Sequence, residues 1–124
     1  MSSEHFNLDH EWLRSAAEAE LDHVRRLGSN EHLIMVTANP GAYEALLSII
    51  VGADGGTPVY QVITNVKTRY TSQSGILNRL RAMRELGLIE ELQGPKRSQV
   101  CLAPSSKLIK ALAPVLLERQ RGAD

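Results

Sequence analysis

Cysteine is almost absent from this chain of 124 residues, since Cys101 is its only one. No disulfide can therefore form within the chain, and no zinc site can be built from cysteines. Aromatic residues make up only 4% of the sequence, so aliphatic side chains must supply the core. Such a core favours a helical domain over an all-β one. We expect a protein that folds without a disulfide, a metal or a cofactor.

Long apolar runs and a secretion signal are missing as well. The longest apolar stretches, 33–36 and 46–51, are far shorter than the about 20 residues that a membrane-spanning helix needs. Residues 1–12 contain no basic segment followed by an apolar one, unlike a signal peptide. We therefore expect a soluble, cytoplasmic protein that has no membrane partner.

The formal net charge of +0 conceals a division of charge along the chain. Residues 1–56 contain nine acidic and three basic side chains, whereas residues 57–124 contain eleven basic and five acidic ones. Opposite charges on the two halves indicate two surfaces with different partners, and the basic surface suits a polyanion. The alternative is that this uneven distribution of charged residues arose by chance, as it can in a small protein.

The N-terminal part is predicted to be a flexible tail, 1–6, followed by an acidic helical segment, 7–39. Asn7 or Asp9 can cap its main helix, which stops at Gly28. Apolar residues recur along this helix at steps of three and four, which gives one apolar stripe on a charged helix. A stripe of this kind packs either on the following domain or against a second chain.

Asn-Pro and Thr-Pro pairs mark two further helix starts. Residues 31–39 fit either a short helix or one buried strand. The pair at 39–40 then begins a helix, since asparagine caps and proline fits the first helical position. The pair at 57–58 repeats this pattern and predicts a short helix over 59–66.

A longer helix with a glycine stop follows. Thr71 or Ser72 caps this helix, which runs over about 71–86. Gly87 stands where a left-handed glycine ends helices. Apolar residues line one side of the helix at helical spacing, which predicts that this side faces the core.

A hairpin and a last helix complete the sequence. Strands 88–92 and 99–102 enclose a turn-rich tip, 93–98, that contains two cations. A Ser-Ser pair after the hairpin begins the last helix, which Pro114 is expected to kink or divide. This order predicts a mostly α (α+β) fold, in which a winged helix-turn-helix domain at 40–124 is flanked by N- and C-terminal helices.

The glycine-stopped helix and the hairpin resemble the second helix and the wing of the multiple-antibiotic-resistance-regulator (MarR) family. The resemblance rests on the inward side chains of Ile76, Leu80 and Met83 and on the Glu-Leu-Gly-Leu-Ile element at 85–89. The polar hairpin tip and the Ser-Ser start of the last helix add to it. It covers about residues 40–117 and implies a transcription regulator that binds double-stranded DNA.

Three departures limit what this resemblance implies. The wing tip at 94–97 lacks the Asp-x-Arg pair that is usual in the family, and the helix at 58–66 lacks the usual Ala-Glu-Leu sequence. The N-terminal segment is shorter than the dimerisation region of the family's multidrug sensors. No ligand pocket can therefore be carried over to this chain.

The predicted recognition helix places polar side chains opposite its apolar side. Because successive residues lie about 100° apart, Ser74, Asn78 and Arg81 point away from the core. Asparagine suits adenine and arginine suits guanine in the major groove, while nearby cations suit phosphates or a flanking minor groove. The predicted DNA-binding residues are Lys67, Arg69, Tyr70, Thr71, Ser72, Gln73, Ser74, Asn78, Arg79, Arg81, Lys96 and Arg97.

Several of these residues also suit roles that do not involve DNA. Thr71 and Ser72 are good helix caps, and Arg79 and Arg81 could form a solvated helix face. The overall neutrality suits a second hypothesis, a winged-helix adaptor that does not read DNA sequence. Such an adaptor would bind a basic protein partner through the acidic N-terminal helix.

The two terminal helices are predicted to form a homodimer, because they contain more apolar surface than one small domain can cover. The residues assigned to this interface are Leu13, Ala17, Leu21, Val24, Leu108, Leu112, Val115 and Leu116.

No arrangement of residues predicts an enzyme or a metal site. The four histidines lie within the first 32 residues of the chain without the convergent spacing that metal ligation requires. They are His5, His10, His23 and His32. Cys101 alternates with apolar neighbours, which is typical of a small core residue. No combination of a nucleophile, a base and an acid can be assembled.

Overall fold

The computed structural model describes residues 3–52, 55–69, 71–96 and 99–123. Across these ranges the chain forms six helices and a three-stranded antiparallel sheet, which confirms the predicted winged-helix architecture. The elements in chain order are α1 (Ser3–Gly28), α2 (Glu31–Thr37), α3 (Pro40–Val51), β1 (Thr57–Pro58), α4 (Val59–Thr64), α5 (Gln73–Glu85), β2 (Ile89–Gln93), β3 (Val100–Pro104) and α6 (Ser106–Ala123).

Helix α1 begins earlier than the sequence predicts. It starts at Ser3, so residues 3–6 of the predicted tail are helical, and a start at Asn7 or Asp9 is wrong. The physical reason is that no proline or glycine interrupts the chain before these residues, so helical hydrogen bonding can extend upstream. The predicted end at Gly28 is confirmed.

Asparagine side chains begin the next two helices. The side-chain carbonyl of Asn39 accepts a hydrogen bond from the Ala42 amide at 3.0 Å. Pro40 occupies the first turn of α3 as predicted. Asn30 caps α2 in the same way through two backbone amides of its first turn. The ambiguous segment at 31–39 therefore contains a helix and no strand.

Residues 57–58 form a strand and not the helix cap that was predicted for them. Both residues pair with the middle strand β3, at one edge of a sheet with the order β1-β3-β2. Proline is tolerated there because an edge strand does not need every N–H for the hydrogen-bond ladder. Helix α4 consequently begins at Val59 without a side-chain cap and ends at Thr64.

Gly87 ends α5 as predicted. Its φ angle of 76° lies in the left-handed region, which glycine adopts without steric cost. The Gly87 amide donates to the Arg84 carbonyl at 3.0 Å, and the Leu88 amide donates to the Met83 carbonyl at 2.9 Å. These two hydrogen bonds close the helix and direct the chain into β2.

Ser105 connects the last helix to the start of the wing. Its buried hydroxyl donates to the Leu88 carbonyl at 3.0 Å and accepts an amide of the first turn of α6 at 3.2 Å. Helix α6 then continues through Pro114, so the predicted division of this helix is wrong. Leu112 and Val115 on either side of the proline are buried, and this packing supports both turns against the loss of one backbone hydrogen bond.

The hydrophobic core lies between α2, α3, α4, α5, α6 and the sheet, whereas α1 contributes Leu27 at its C-terminal end. Aliphatic side chains dominate this core, as the scarcity of aromatic residues predicts. Its largest fully buried side chains are Leu33, Val36, Leu46, Ile49, Val62, Ile76, Met83, Leu88, Ile89, Leu108 and Leu112.

The described helices can also be compared with the length and hydropathy of a membrane span. None of them alone is long and apolar enough to cross a bilayer. Helices α2 and α3 reach that length and composition only when they are taken together, and they are bent by 108°.

Candidate nucleic-acid interface

Helix α5 begins at one of its two predicted caps. The Ser72 hydroxyl accepts a hydrogen bond from the Gly75 amide at 3.0 Å. Thr71 has a different role, because its side chain packs against Gly41 of α3. A Cβ atom placed on Gly41 would lie only 2.7 Å from Cγ2 of Thr71. The start of α5 is therefore held by a local cap and by a tertiary contact with α3.

One side of α5 is polar and exposed along the whole helix. Ile76, Leu80 and Met83 on the opposite side are buried, as their spacing predicts. Arg79 lies at the border and is half-buried. This side runs from Ser74 through Asn78 and Arg81 to Glu85, and Gln73 is exposed in the first turn. We call Gln73, Ser74, Asn78 and Arg81 together the reading face.

The turn before α5 presents two exposed cations, Lys67 and Arg69. The Lys67 and Thr68 amides donate to the Glu44 carboxylate of α3 at 2.7 and 2.8 Å, and the Thr68 hydroxyl donates to it as well. The Thr68 hydroxyl, followed by the Lys67 amide, holds the pKa of Glu44 below its usual value, because these donors favour the ionised form. Tyr70, predicted to bind DNA, lies outside the described residues.

The wing tip is closed by backbone hydrogen bonds. The Gly94 amide donates to the Gln99 carbonyl at 2.9 Å, and the Gln99 amide donates to the Lys96 carbonyl at 2.9 Å. The side chain of Lys96 is exposed at this tip. Arg97, the second predicted cation of the wing, lies outside the described residues.

Two side chains connect α5 to its neighbours. The Arg84 guanidinium forms an ion pair with the Glu91 carboxylate of β2. Lys107 of α6 donates to the Leu86 carbonyl at 2.9 Å, at the C-terminal end of α5 where the helix dipole favours a cation. These contacts tie the orientation of α5 to the wing and to α6, and Lys107 was not predicted as a site residue.

Glu44 and Gly41 are the other site residues that sequence reasoning missed. A signal for Glu44 was present, since it is the only charged residue of α3, whose other side chains are mostly apolar. A single carboxylate on such a helix indicates a tertiary partner. Gly41 offered no local signal, because its importance comes from a residue that is distant in sequence.

The predicted dimer residues fall into two environments. Leu108, Leu112 and Val115 of α6 are buried in the core of the single chain, so their assignment to a dimer interface is wrong. Leu116 is partly buried against the same core. The residues on α1, in contrast, are exposed, and they are Leu13, Ala17, Leu21 and Val24.

Potential metal ligands and the cysteine complete the chemistry of the described part of the chain. No group of three or more histidine, cysteine, aspartate or glutamate side chains there could hold a metal ion. Cys101 is a free thiol that is buried in β3.

The whole fold is similar to solved structures of MarR family proteins. A MarR family protein from Bacillus stearothermophilus superposes with a TM-score of 0.60 and 18% identity, over 99% of this chain and 79% of that one. MarR itself gives 0.54 and 19%, over 92% and 75%. MepR from S. aureus, in complex with DNA, gives 0.51 and 12%, over 98% and 89%. No family model and no curated protein matches the sequence. The chain thus has a MarR-like winged-helix fold.

Proposed function

We propose that the protein is a transcription regulator that reads duplex DNA with α5 and is not an enzyme. The reading face carries this proposal, because its polar side chains are exposed together beside the cationic turn of Lys67 and Arg69. A helix of this kind fits the major groove, which is about 12 Å wide. The similarity of the fold to MepR, whose structure contains DNA, supports the proposal.

Sequence reading is assigned to two residues of the reading face. Asn78 can form paired hydrogen bonds with adenine, and Arg81 can form them with guanine. Gln73 and Ser74 lie in the first turn, where free backbone amides favour a phosphate. The sequence predicts that Thr71, Ser72 and Arg79 bind DNA as well. In our proposal these residues support α5 and the contacts that its first turn makes with the DNA backbone.

Phosphate binding is assigned to the cations beside the helix. Lys67 and Arg69 precede α5, and Lys96 stands on the wing, where it can contact flanking DNA. We include Tyr70 and Arg97 in this group by their position in the sequence. Each neutralised phosphate releases counterions, so binding should weaken steeply as the salt concentration rises.

We further propose that two chains associate through α1. Trp12 and Leu13 are 72% and 58% exposed, and Ala17, Leu21 and Val24 continue the exposed side of Leu13. Association would cover this side and place two copies of α5 about one DNA turn apart on a pseudo-palindromic site. The symmetric arrangement would account for such an apolar side on an otherwise charged helix.

The test of sequence reading uses Asn78→Ala and Arg81→Ala with the preferred site and with random duplexes. Each substitution should cost about 1–3 kcal/mol on the preferred site and much less on random DNA, where phosphate contacts dominate. Lys110→Ala, which removes an exposed cation from α6, is the matched control and should change neither. Equal losses on both kinds of DNA would reduce the reading face to an electrostatic patch.

A protein-interaction adaptor is the second candidate function. The observation that favours it is the exposed apolar side of the acidic helix α1, which could receive a basic partner. A salt titration separates the two functions, because an adaptor would show neither duplex binding at low salt nor the steep salt dependence of phosphate contacts.

A further inference from the structure

We propose that α3 acts as a clamp on the turn before α5, in which Glu44 and Gly41 are positioning residues that set how the reading face meets DNA. The proposal rests on the DNA-binding function proposed above. We call these two residues the α3 clamp. Neither of them is expected to contact a base.

Glu44 holds the beginning of the turn with both carboxylate oxygens. Oε2 accepts the Lys67 amide at 2.7 Å, while Oε1 accepts the Thr68 amide at 2.8 Å and also the Thr68 hydroxyl. Residues 66–68 belong to no helix or strand. Because a two-oxygen acceptor fixes both the position and the direction of its donors, the path of this backbone depends on Glu44.

Gly41 holds the end of the same turn. It lies one helical turn before Glu44, on the same side of α3. A Cβ on Gly41 would lie 2.7 Å from Oγ1 and 2.9 Å from Cβ of Thr71. Thr71 immediately precedes the cap of α5, so the absence of a side chain at Gly41 lets α5 start close to α3. The clamp therefore contacts both ends of the connection.

An electrostatic role and a positioning role of Glu44 predict opposite changes in DNA binding when its charge is removed. The carboxylate lies beside the cationic turn, so its negative charge opposes a DNA phosphate. If charge alone mattered, its removal would tighten binding to every duplex. If Glu44 positions the turn, its removal weakens binding to the preferred site although a repulsive charge has been lost. The sign of the change distinguishes the two roles.

The experiment measures the ratio of the dissociation constants for random and preferred duplexes in Glu44→Gln. This substitution keeps the shape and places an amide N–H₂ against a backbone N–H. We expect binding to the preferred site to weaken about tenfold, as for one or two lost hydrogen bonds, with binding to random DNA unchanged or tighter. Glu11→Gln, an exposed acid of α1, controls for the lost charge and should leave the ratio unchanged.

Thr68→Val provides a second route to the same contact. The substitution removes the hydroxyl donor and keeps the backbone amide. We therefore expect the ratio of dissociation constants to decrease less than in Glu44→Gln. The two changes combined should cost little more than Glu44→Gln alone, because both act through one contact. Additive losses would contradict a shared contact and overturn the role of Glu44.

Gly41→Ala tests the other end of the clamp, with Gly28→Ala as its control. A Cβ on Gly28 meets no atom within 4 Å, whereas one on Gly41 meets Thr71. We expect only Gly41→Ala to lower the ratio. Equal ratios in both variants would overturn the assignment of Gly41.

A measurement without DNA separates the clamp from the proposed function. The amide hydrogens of Lys67 and Thr68 should exchange faster in Glu44→Gln than in the unaltered protein, since their acceptor is altered. Unchanged exchange, or an unchanged ratio of dissociation constants, would overturn the clamp and leave DNA binding intact. Absence of duplex binding by the unaltered protein would overturn the proposed function, whatever the exchange shows.

Discussion

The two terminal helices have similar sequence patterns, but the fold buries the apolar residues of only one of the two patterns. Both α1 and α6 repeat apolar residues at helical spacing between charged ones. Leu108 and Leu112 of α6 are at most 1% exposed, whereas Trp12 and Leu13 of α1 are 72% and 58% exposed. Helical periodicity thus identifies an apolar side, but it does not show whether the same chain covers it.

Contacts between the described side chains of the two helices include the C-terminal half of α1. Leu27 and His23 are buried there, and the Glu20 carboxylate forms an ion pair of 2.8 Å with the Arg119 guanidinium of α6. Trp12, in the N-terminal half of the helix, is 72% exposed. One side of the C-terminal half of α1 therefore packs on α6, while the exposed apolar side of α1, which includes Leu21 and Val24, presents the surface that we propose for a second chain.

Truncation of the α6 core should have the largest effect on this comparison. Leu112→Ala should lower the free energy of unfolding by about 2–5 kcal/mol, because it leaves a cavity among packed side chains. Leu117→Ala on the exposed side of α6 is the control, and should change the stability by no more than about 0.5 kcal/mol. Urea unfolding measures both. Similar losses of stability in Leu112→Ala and Leu117→Ala would contradict the difference in burial between the two sides of α6.

Truncation on α1 should affect association and leave the fold intact. Trp12→Ala should weaken dimerisation by about 2 kcal/mol or more, as for a large aromatic residue that an interface buries. Sedimentation over a dilution series measures the dissociation constant, and Glu11→Ala is the neighbouring control. An unaltered protein that remains monomeric at micromolar concentration would contradict the assignment of α1 to a dimer.

The smallest expected effect is a pH dependence where α1 meets α6. Burial, and then the charge of Arg119, lowers the pKa of His23, while Glu20 and Asp22 partly oppose this. A histidine in an unfolded chain has a pKa of about 6.5. Between that pH and the lower pKa of His23 in the folded protein, the unfolded chain binds more protons than the folded one. The stability from this group should therefore be complete above this window, fall as the pH drops through it, and change no further below the folded pKa.

Urea unfolding at about pH 5.5 and about pH 7.5 measures this difference. The difference should shrink in His23→Gln and persist in His10→Gln, since His10 is exposed on α1. A difference that is equal in both variants would place the responsible group elsewhere.

Local chemistry determined much of the fold from the sequence alone. Asn39 and Ser72 cap their helices and Gly87 ends α5 as predicted, because a cap or a left-handed glycine acts on amides and carbonyls within a few residues. The exposure of Ser74, Asn78 and Arg81 also followed from helical spacing, while their role in reading DNA remains a prediction.

Tertiary contacts decided what local signals could not. Residues 57–58 carry a helix-start signal, yet they form a strand because β3, far along the chain, offers hydrogen-bond partners. Glu44 and Gly41 received their roles from Thr68 and Thr71, which are more than twenty residues away. The apolar sides of α1 and α6 look alike in sequence, and only packing selected which of them the core would bury, because burial depends on the neighbours that the folded chain brings together.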